Sequence, residues 1–226
     1  MFYYFGRKGR LARFYPPPRY PLVVEPFAGS AAYSLHWKPE AAHLVDIDED
    51  TVALWERLCA MSKAEIMAAP GPVIGEMTSD PWHLAAMASS GGYAGVSRKV
   101  SPWAHNNFEN HRARHYAAAN VTTARRYTYQ HGTYRDAPDV EACWFIDPPY
   151  QHVKGYRHGN AGIDYADLAD FCRTRRGQVI VCEQEGADWL PFRPFMALVS
   201  SQNTTTREVW WTNNEQDYGG EQLPLL

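Results

Sequence analysis

The chain has 226 residues, 45% of them hydrophobic and 14% aromatic, which excludes a largely disordered polypeptide and is enough for one α/β domain with a small insertion. The net charge of −3 is unevenly spread: residues 1–20 carry +5 and residues 98–135 carry +6, so the rest of the chain is strongly acidic while two segments suit a polyanion. Cys59, Cys143, Cys172 and Cys182 include no CxxC pair, which excludes a zinc knuckle or thioredoxin-like site and fits a reducing compartment.

In chain order, the N-terminal stretch to Tyr20 is basic, has no apolar run of signal-peptide or membrane-span length, and closes on Pro16–Pro18. Leu22 to Glu25 reads as a strand, followed by a Gly-containing turn, Glu25-Pro26-Phe27-Ala28-Gly29. A second strand spans Ala42 to Ile47 and ends in Asp46-Ile47-Asp48. Glu49 to Met61 has helical periodicity, with Val52, Leu54, Trp55 and Leu58 apolar; Asp48 stands where a helix N-cap belongs. Strand, turn, helix, strand is the opening of a doubly wound sheet.

From about residue 64 to 138, Gly, Ser, Asn, His and aromatic residues interleave with arginine, and little strand character is evident. Buried-type strands return at Glu141 to Ile146, which runs into Asp147-Pro148-Pro149-Tyr150, and at Gln178 to Cys182 after a helix from Tyr165 to Arg175. Phe195 to Val199 and Glu208 to Trp211 read as an edge hairpin. The expectation is one Rossmann-like α/β domain built from residues 1–62 and 139–226, with a basic, mostly helical or loop-like insertion at 63–138.

Asp147-Pro148-Pro149-Tyr150 carries the sharpest chemistry, because ligands of a parallel α/β sheet bind beyond the carboxyl ends of its strands. An amino group on an aromatic ring is a poor nucleophile, its lone pair being delocalised. A carboxylate (Asp147) and a rigid peptide carbonyl (Pro148) that accept its two N–H bonds draw the nitrogen towards a tetrahedral shape. Tyr150 would stack on the face of a base. No metal and no covalent intermediate are required.

With these residues the chain resembles the Dam-type (D12-class) DNA adenine-N6 methyltransferases, and is most similar to their short phage and prophage members. The resemblance implies a class I methyltransferase sheet, S-adenosylmethionine as cofactor, double-stranded DNA as partner, base flipping, and the cytoplasm of a bacterial or phage-infected cell. It implies that Pro26, Phe27 and Gly29 wrap the methionine part of the cofactor, that Asp46 holds the ribose hydroxyls, and that Asp147 also borders the cofactor. Gly6-Arg7-Lys8 matches the family's Gly-Gly-Lys, so Lys8 is expected at the cofactor or the site, and Tyr4 takes the place of an aromatic beside the cofactor. Ala31 replaces the usual second glycine of the first turn, and Arg7 replaces a glycine.

Gly92-Tyr93-Ala94-Gly95 resembles the family's DNA-contacting loop, which makes Tyr93, Arg98 and Lys99 leading DNA contacts, with Arg112, Arg114, Arg125 and Arg126 beside them. Segments 189–192 and 208–213 resemble parts of the phage members and are read as structural; Glu183 and Gln184 are expected at most to rim the pocket. Other readings stay open: cytosine-N4 methylation (where Ser more often precedes the prolines), RNA adenine methylation, or an inactive DNA-binding module, to which Ala31 is the only pointer. Cytosine-C5 chemistry is excluded, since no Pro-Cys dipeptide occurs.

Overall fold

The computed structural model describes residues 8–9, 11–80, 82–83, 99–109, 112–153, 158–160, 162–199 and 205–219. Seven strands form one mixed sheet: β1 (Leu22–Glu25), β2 (Ala41–Asp46), β3 (Thr128–His131), β4 (Ala142–Ile146), β5 (Gly177–Gln184), β6 (Arg193–Val199) and β7 (Thr205–Thr212), in the order β3-β2-β1-β4-β5-β7-β6. The pairs β3–β2, β2–β1, β1–β4 and β4–β5 are parallel, and β7 runs antiparallel to both neighbours. The expected edge hairpin is thus present, but its second strand lies inside the sheet, against β5.

The helices are α1 (Ala32–Trp37), α2 (Glu49–Ala60), α3 (Lys63–Ala68), α4 (Pro102–Glu109), α5 (Arg112–Ala124) and α6 (Tyr165–Thr174). Both faces of the sheet are buried, and the two-residue period of the strands divides their side chains between two cores. Val23, Leu44, Cys143, Phe145, Ile180, Cys182 and Trp210 pack with Tyr15, Tyr33, Trp55 and Leu58 on one face. Val24, Val45, Trp144, Ile146, Val179 and Val181 pack with Leu168, Ala169 and Cys172 of α6 on the other.

Two local signals set helix starts. Asp48 caps α2 by accepting the Asp50 N–H at 3.1 Å, and Ser62 and Glu65 form a reciprocal capping box on α3. The sheet also claims part of the expected insertion. Strand β3 pairs with β2 from His43/Thr128 to Asp46/His131, and α5 packs on α2 and α3. Residues from Arg112 onward therefore belong to the α/β layers. This strand was hidden because it is a partly exposed edge strand, Thr-Tyr-Gln-His, with polar side chains where buried strands carry aliphatic ones.

One glycine is fixed by close approach. Gly177, at the start of β5, has φ +103°, and a Cβ there would lie 2.2 Å from the Ala142 carbonyl oxygen. Gly177→Ala is expected to destabilise the fold by about 2 kcal/mol or more, measured by denaturant unfolding.

Candidate active site

The strand order reverses between β1 and β4: from β1 the chain builds outward to β2 and β3, and from β4 it builds the opposite way to β5. A crevice at the carboxyl ends of such a pair is where open α/β sheets bind ligands. Glu25 ends β1, Asp46 ends β2, and Asp147 directly follows β4. Each lies two residues beyond a side chain of the same core (Val23, Leu44, Phe145), so the strand period puts all three acids on one face of three adjacent strands.

The first turn is pinned between them. Asp46 accepts the Gly29 N–H at 2.7 Å through Oδ2 and the Asp48 N–H at 2.9 Å through Oδ1. Ala28 N–H donates to the Val45 carbonyl, and Trp55 Nε1 of α2 donates to the Gly29 carbonyl, both at 2.9 Å. Gly29 and Ala31 both adopt the left-handed conformation, with φ of 45° and 48°. Ala31 therefore takes the conformation that suits glycine, at a cost of roughly 1–2 kcal/mol. Pro26 and Phe27 lie in this turn, with Phe27 stacked on Tyr134 at 5.6 Å. Ile47, between the two aspartates, is 51% exposed, an apolar surface beside the turn that the sequence reading did not single out.

At the neighbouring strand end, Lys8 Nζ lies 2.8 Å from Asp147 Oδ1 and 3.9 Å from Glu208 Oε2, and it sits over the Tyr150 ring at 4.6 Å. Lys8 is only 4% exposed. The Tyr150 hydroxyl donates to Glu208 Oε2 at 2.5 Å. The ring is thus buried, with a cation over it, whereas the sequence reading gave it to stacking on a base. Among the described residues no donor reaches Asp147 Oδ2 or the Pro148 carbonyl; the Pro149 carbonyl is taken by the Tyr165 hydroxyl at 2.6 Å. Two acceptors from adjacent residues thus have no donor among the described residues.

The loop after the motif is held from three sides. Glu183 Oε2 accepts the Gln151 N–H at 3.1 Å and the Trp189 Nε1–H at 2.9 Å. Asn160 Nδ2 donates to the Tyr150 and Gln151 carbonyls at 2.9 and 2.8 Å. His158 approaches Asp48 at 3.7 Å, linking this loop to the start of α2.

Burial dominates the electrostatics. It pushes the Glu25 carboxyl up to about 7, with a Ser34 N–H bond at 2.8 Å only partly offsetting it. It pushes Asp46 up to about 6 in spite of two backbone N–H bonds, and Asp147 up to about 6 in spite of Lys8. For Lys8 burial opposes the charge, but Asp147 and then Glu208 outweigh it and hold the ammonium well above its usual range.

The basic residues divide. Arg114 is not available to DNA: it is buried, ion-paired to Glu109 at 2.9 Å, and its guanidinium lies over Phe108 at 4.8 Å. Arg125 donates to the Cys59 and Met61 carbonyls at 2.8 and 2.5 Å, satisfying the end of α2. Arg125 and Arg126 immediately precede β3, which runs parallel to β2, so they stand at the amino edge of the sheet, opposite Asp46 and Asp147. Arg114 and Arg125 are corrections, being engaged within the chain, which composition does not reveal; Arg126 is exposed. Lys99 is exposed and bridges to Met77. Of Arg112 only the backbone, at the start of α5, is described. Tyr4, Tyr93 and Arg98 lie outside the described residues.

Glu208 is the site residue that sequence reasoning missed, having been assigned to a structural segment. Its signal was available: it lies two residues from Trp210 on a strand, and so on the same face as the buried core. Among the described residues no group of three or more His, Cys, Asp or Glu could hold a metal, and no helix is long and apolar enough to cross a membrane. No protein-family model matches the chain, and no curated protein matches it.

Three acids raised by burial bind protons more tightly folded than unfolded, so they favour the folded state below pH 4 and this advantage is lost as pH rises through about 6 to 7. Lys8 remains charged throughout that window. Thermal unfolding without added ligand is therefore expected at a higher temperature at pH 5.5 than at pH 8, and scanning calorimetry across that range checks it.

Proposed function

We propose that this chain is a DNA methyltransferase that uses S-adenosylmethionine to methylate the N6 amino group of adenine. The observation that carries the reading is the pair of unengaged acceptors, Asp147 Oδ2 and the Pro148 carbonyl, at the carboxyl end of β4 beside the switch point of the sheet. An exocyclic amine has two N–H donors in the plane of its ring, and two acceptors from consecutive residues suit it. The carboxyl of Asp147 can also take up the proton the nitrogen releases.

The residues at the neighbouring strand ends fit the cofactor. Glu25 and Asp46 are buried and Asp147 is half-buried, all on one face, and Lys8 is the only Lys or Arg among the described residues that ion-pairs with any of them. Such a concentration of negative charge favours a cationic ligand. Asp46 uses each carboxylate oxygen for one backbone N–H, which leaves lone pairs for ribose hydroxyls. The turn at Pro26, Phe27 and Gly29 lies directly over that carboxylate, and exposed Ile47 offers an apolar face for an adenine ring. Bound S-adenosylmethionine would supply a methyl group activated by its sulfonium, so that positioning accounts for much of the catalysis.

The sheet supports the same reading. A reversed strand between β5 and β6 departs from the all-parallel 3-2-1-4-5-6 order of dinucleotide-binding domains and is compatible with a methyltransferase-type sheet. Asp147 is recessed, its side chain 20% exposed, so a base must leave its stack to reach it. Lys99, Arg112, Arg98 and Tyr93 are the proposed DNA contacts.

The test is transfer of labelled methyl groups to unmethylated DNA, followed by nucleoside analysis. N6-methyladenine is the expected product, and no modification of any nucleic acid would refute the proposal. Asp147→Asn, which preserves shape beside Lys8, is expected to slow transfer by about 100-fold or more while DNA affinity is retained. Asp46→Ala is expected to weaken cofactor binding by about 10- to 100-fold in calorimetry; unaltered affinity would assign the ribose contact elsewhere.

A further inference from the structure

Lys8 presents a difficulty for an acid that must receive a proton. An ammonium 2.8 Å from Asp147, in the interior, draws electron density from the carboxylate and makes it a weaker base. Glu208 Oε2 lies 3.9 Å from the same ammonium, and it also accepts the Tyr150 hydroxyl at 2.5 Å. Lys8 in turn lies over the Tyr150 ring. Lys8, Tyr150 and Glu208 thus close into a ring, and Asp147 joins it through Lys8, so that Glu208 touches two of these residues and shares the ammonium with the third. β7 brings it there by pairing antiparallel with β5, Gln184 opposite Glu208. A carboxylate with only 6% of its surface exposed is costly as mere packing.

We propose that Glu208 is a positioning residue for Asp147: it shares the charge of Lys8, which leaves Asp147 a basic, unengaged oxygen for the substrate amine, and it anchors the Tyr150 ring alongside. This rests on the reading of Asp147 as the amine-facing acid. In the reaction the nitrogen–carbon bond forms as the sulfur–carbon bond breaks, the electron pair stays on sulfur, and the nitrogen's proton passes to Asp147. An acceptor kept basic by a nearby negative charge assists that last transfer. The other titratable groups that act on Asp147 are Glu25 on β1, Cys182 and Glu183 on β5, and the Tyr15 and Tyr150 hydroxyls, and none of these forms an ion pair with Lys8.

The experiment compares wild type with Glu208→Gln and Glu208→Asp, in two measurements. One is the NMR titration of 13C-labelled aspartate carboxyls, with Asp147 assigned from Asp147→Asn; the other is the pH profile of methyl transfer. Removing the charge with Gln is expected to move the Asp147 titration, and the acid limb of the rate, to lower pH by roughly half a unit or more. Transfer at pH 7.5 should slow by about tenfold while cofactor affinity stays within about twofold. Should Gln at this position prevent folding, Asp, which withdraws the charge by one methylene, is expected to give a smaller shift in the same direction. An Asp147 titration unmoved in every variant that folds overturns the proposal, whatever the activity. A shifted titration in a protein that methylates nothing would sink the proposed function and leave the coupling of Glu208 to Asp147 standing.

Discussion

An ammonium in a protein interior persists only where carboxylates meet it, and at Lys8 that requirement ties together three distant parts of the chain. The segment before the short 3-10 turn Ala12–Phe14 supplies the cation, the end of β4 supplies Asp147, and β7 supplies Glu208. Removing one partner of a buried pair leaves an uncompensated charge and costs about 3–5 kcal/mol. That is a large share of the stability of a domain this size. The site and the seating of the N-terminal segment on the sheet are therefore one constraint. Tyr15 repeats the same connection in apolar form, packing on Phe145, Phe195 and Trp210.

The remaining charge is left out of balance by the alternation of the strands. A residue two places beyond a core position must lie on the core's face, and at the ends of β1, β2 and β4 that residue is an acid each time. Each carboxyl is wholly or largely withdrawn from water, and backbone N–H groups or one ammonium only partly offset its desolvation, which is why all three protonate more readily than free acids. In the proposed function, the cluster gains a purpose when a positively charged ligand enters beside it. The turn between β1 and α1 would support such a ligand, because Asp46 holds the turn and keeps acceptor capacity to spare.

Apolar continuity made most of the fold legible. β1, β2, β4 and β5 are buried on both faces and read as unbroken hydrophobic runs, and the helices from Glu49 and Tyr165 show their periodicity. β3 escaped notice because an edge strand needs only one partner and tolerates Thr, Gln and His. Asp46, Lys8 and the Asp147–Tyr150 motif were legible as types in a pattern. The roles of Arg114 and Arg125 were not, because an arginine that satisfies helix carbonyls or a buried glutamate looks the same in sequence as one that meets phosphate. Glu208 needed a register: only the pairing of β7 with β5 turns an acid beside two tryptophans into a neighbour of Lys8.

Ala31 bears on the rival reading of a binding module with a decayed pocket. A left-handed alanine costs roughly 1–2 kcal/mol relative to glycine, so a turn that had lost its function would be expected to relax. Instead Ala31 keeps φ at 48°, donates its N–H to the Ala28 carbonyl at 2.6 Å, and accepts from Leu35 at 3.0 Å, while its methyl is fully buried in the core. The buried methyl and the fixed hydrogen bonds offset the strain, and Gly29 keeps its bond to Asp46. Ala31 is thus accommodated within the turn that holds Gly29 to Asp46, and in itself is no argument for an inactive pocket.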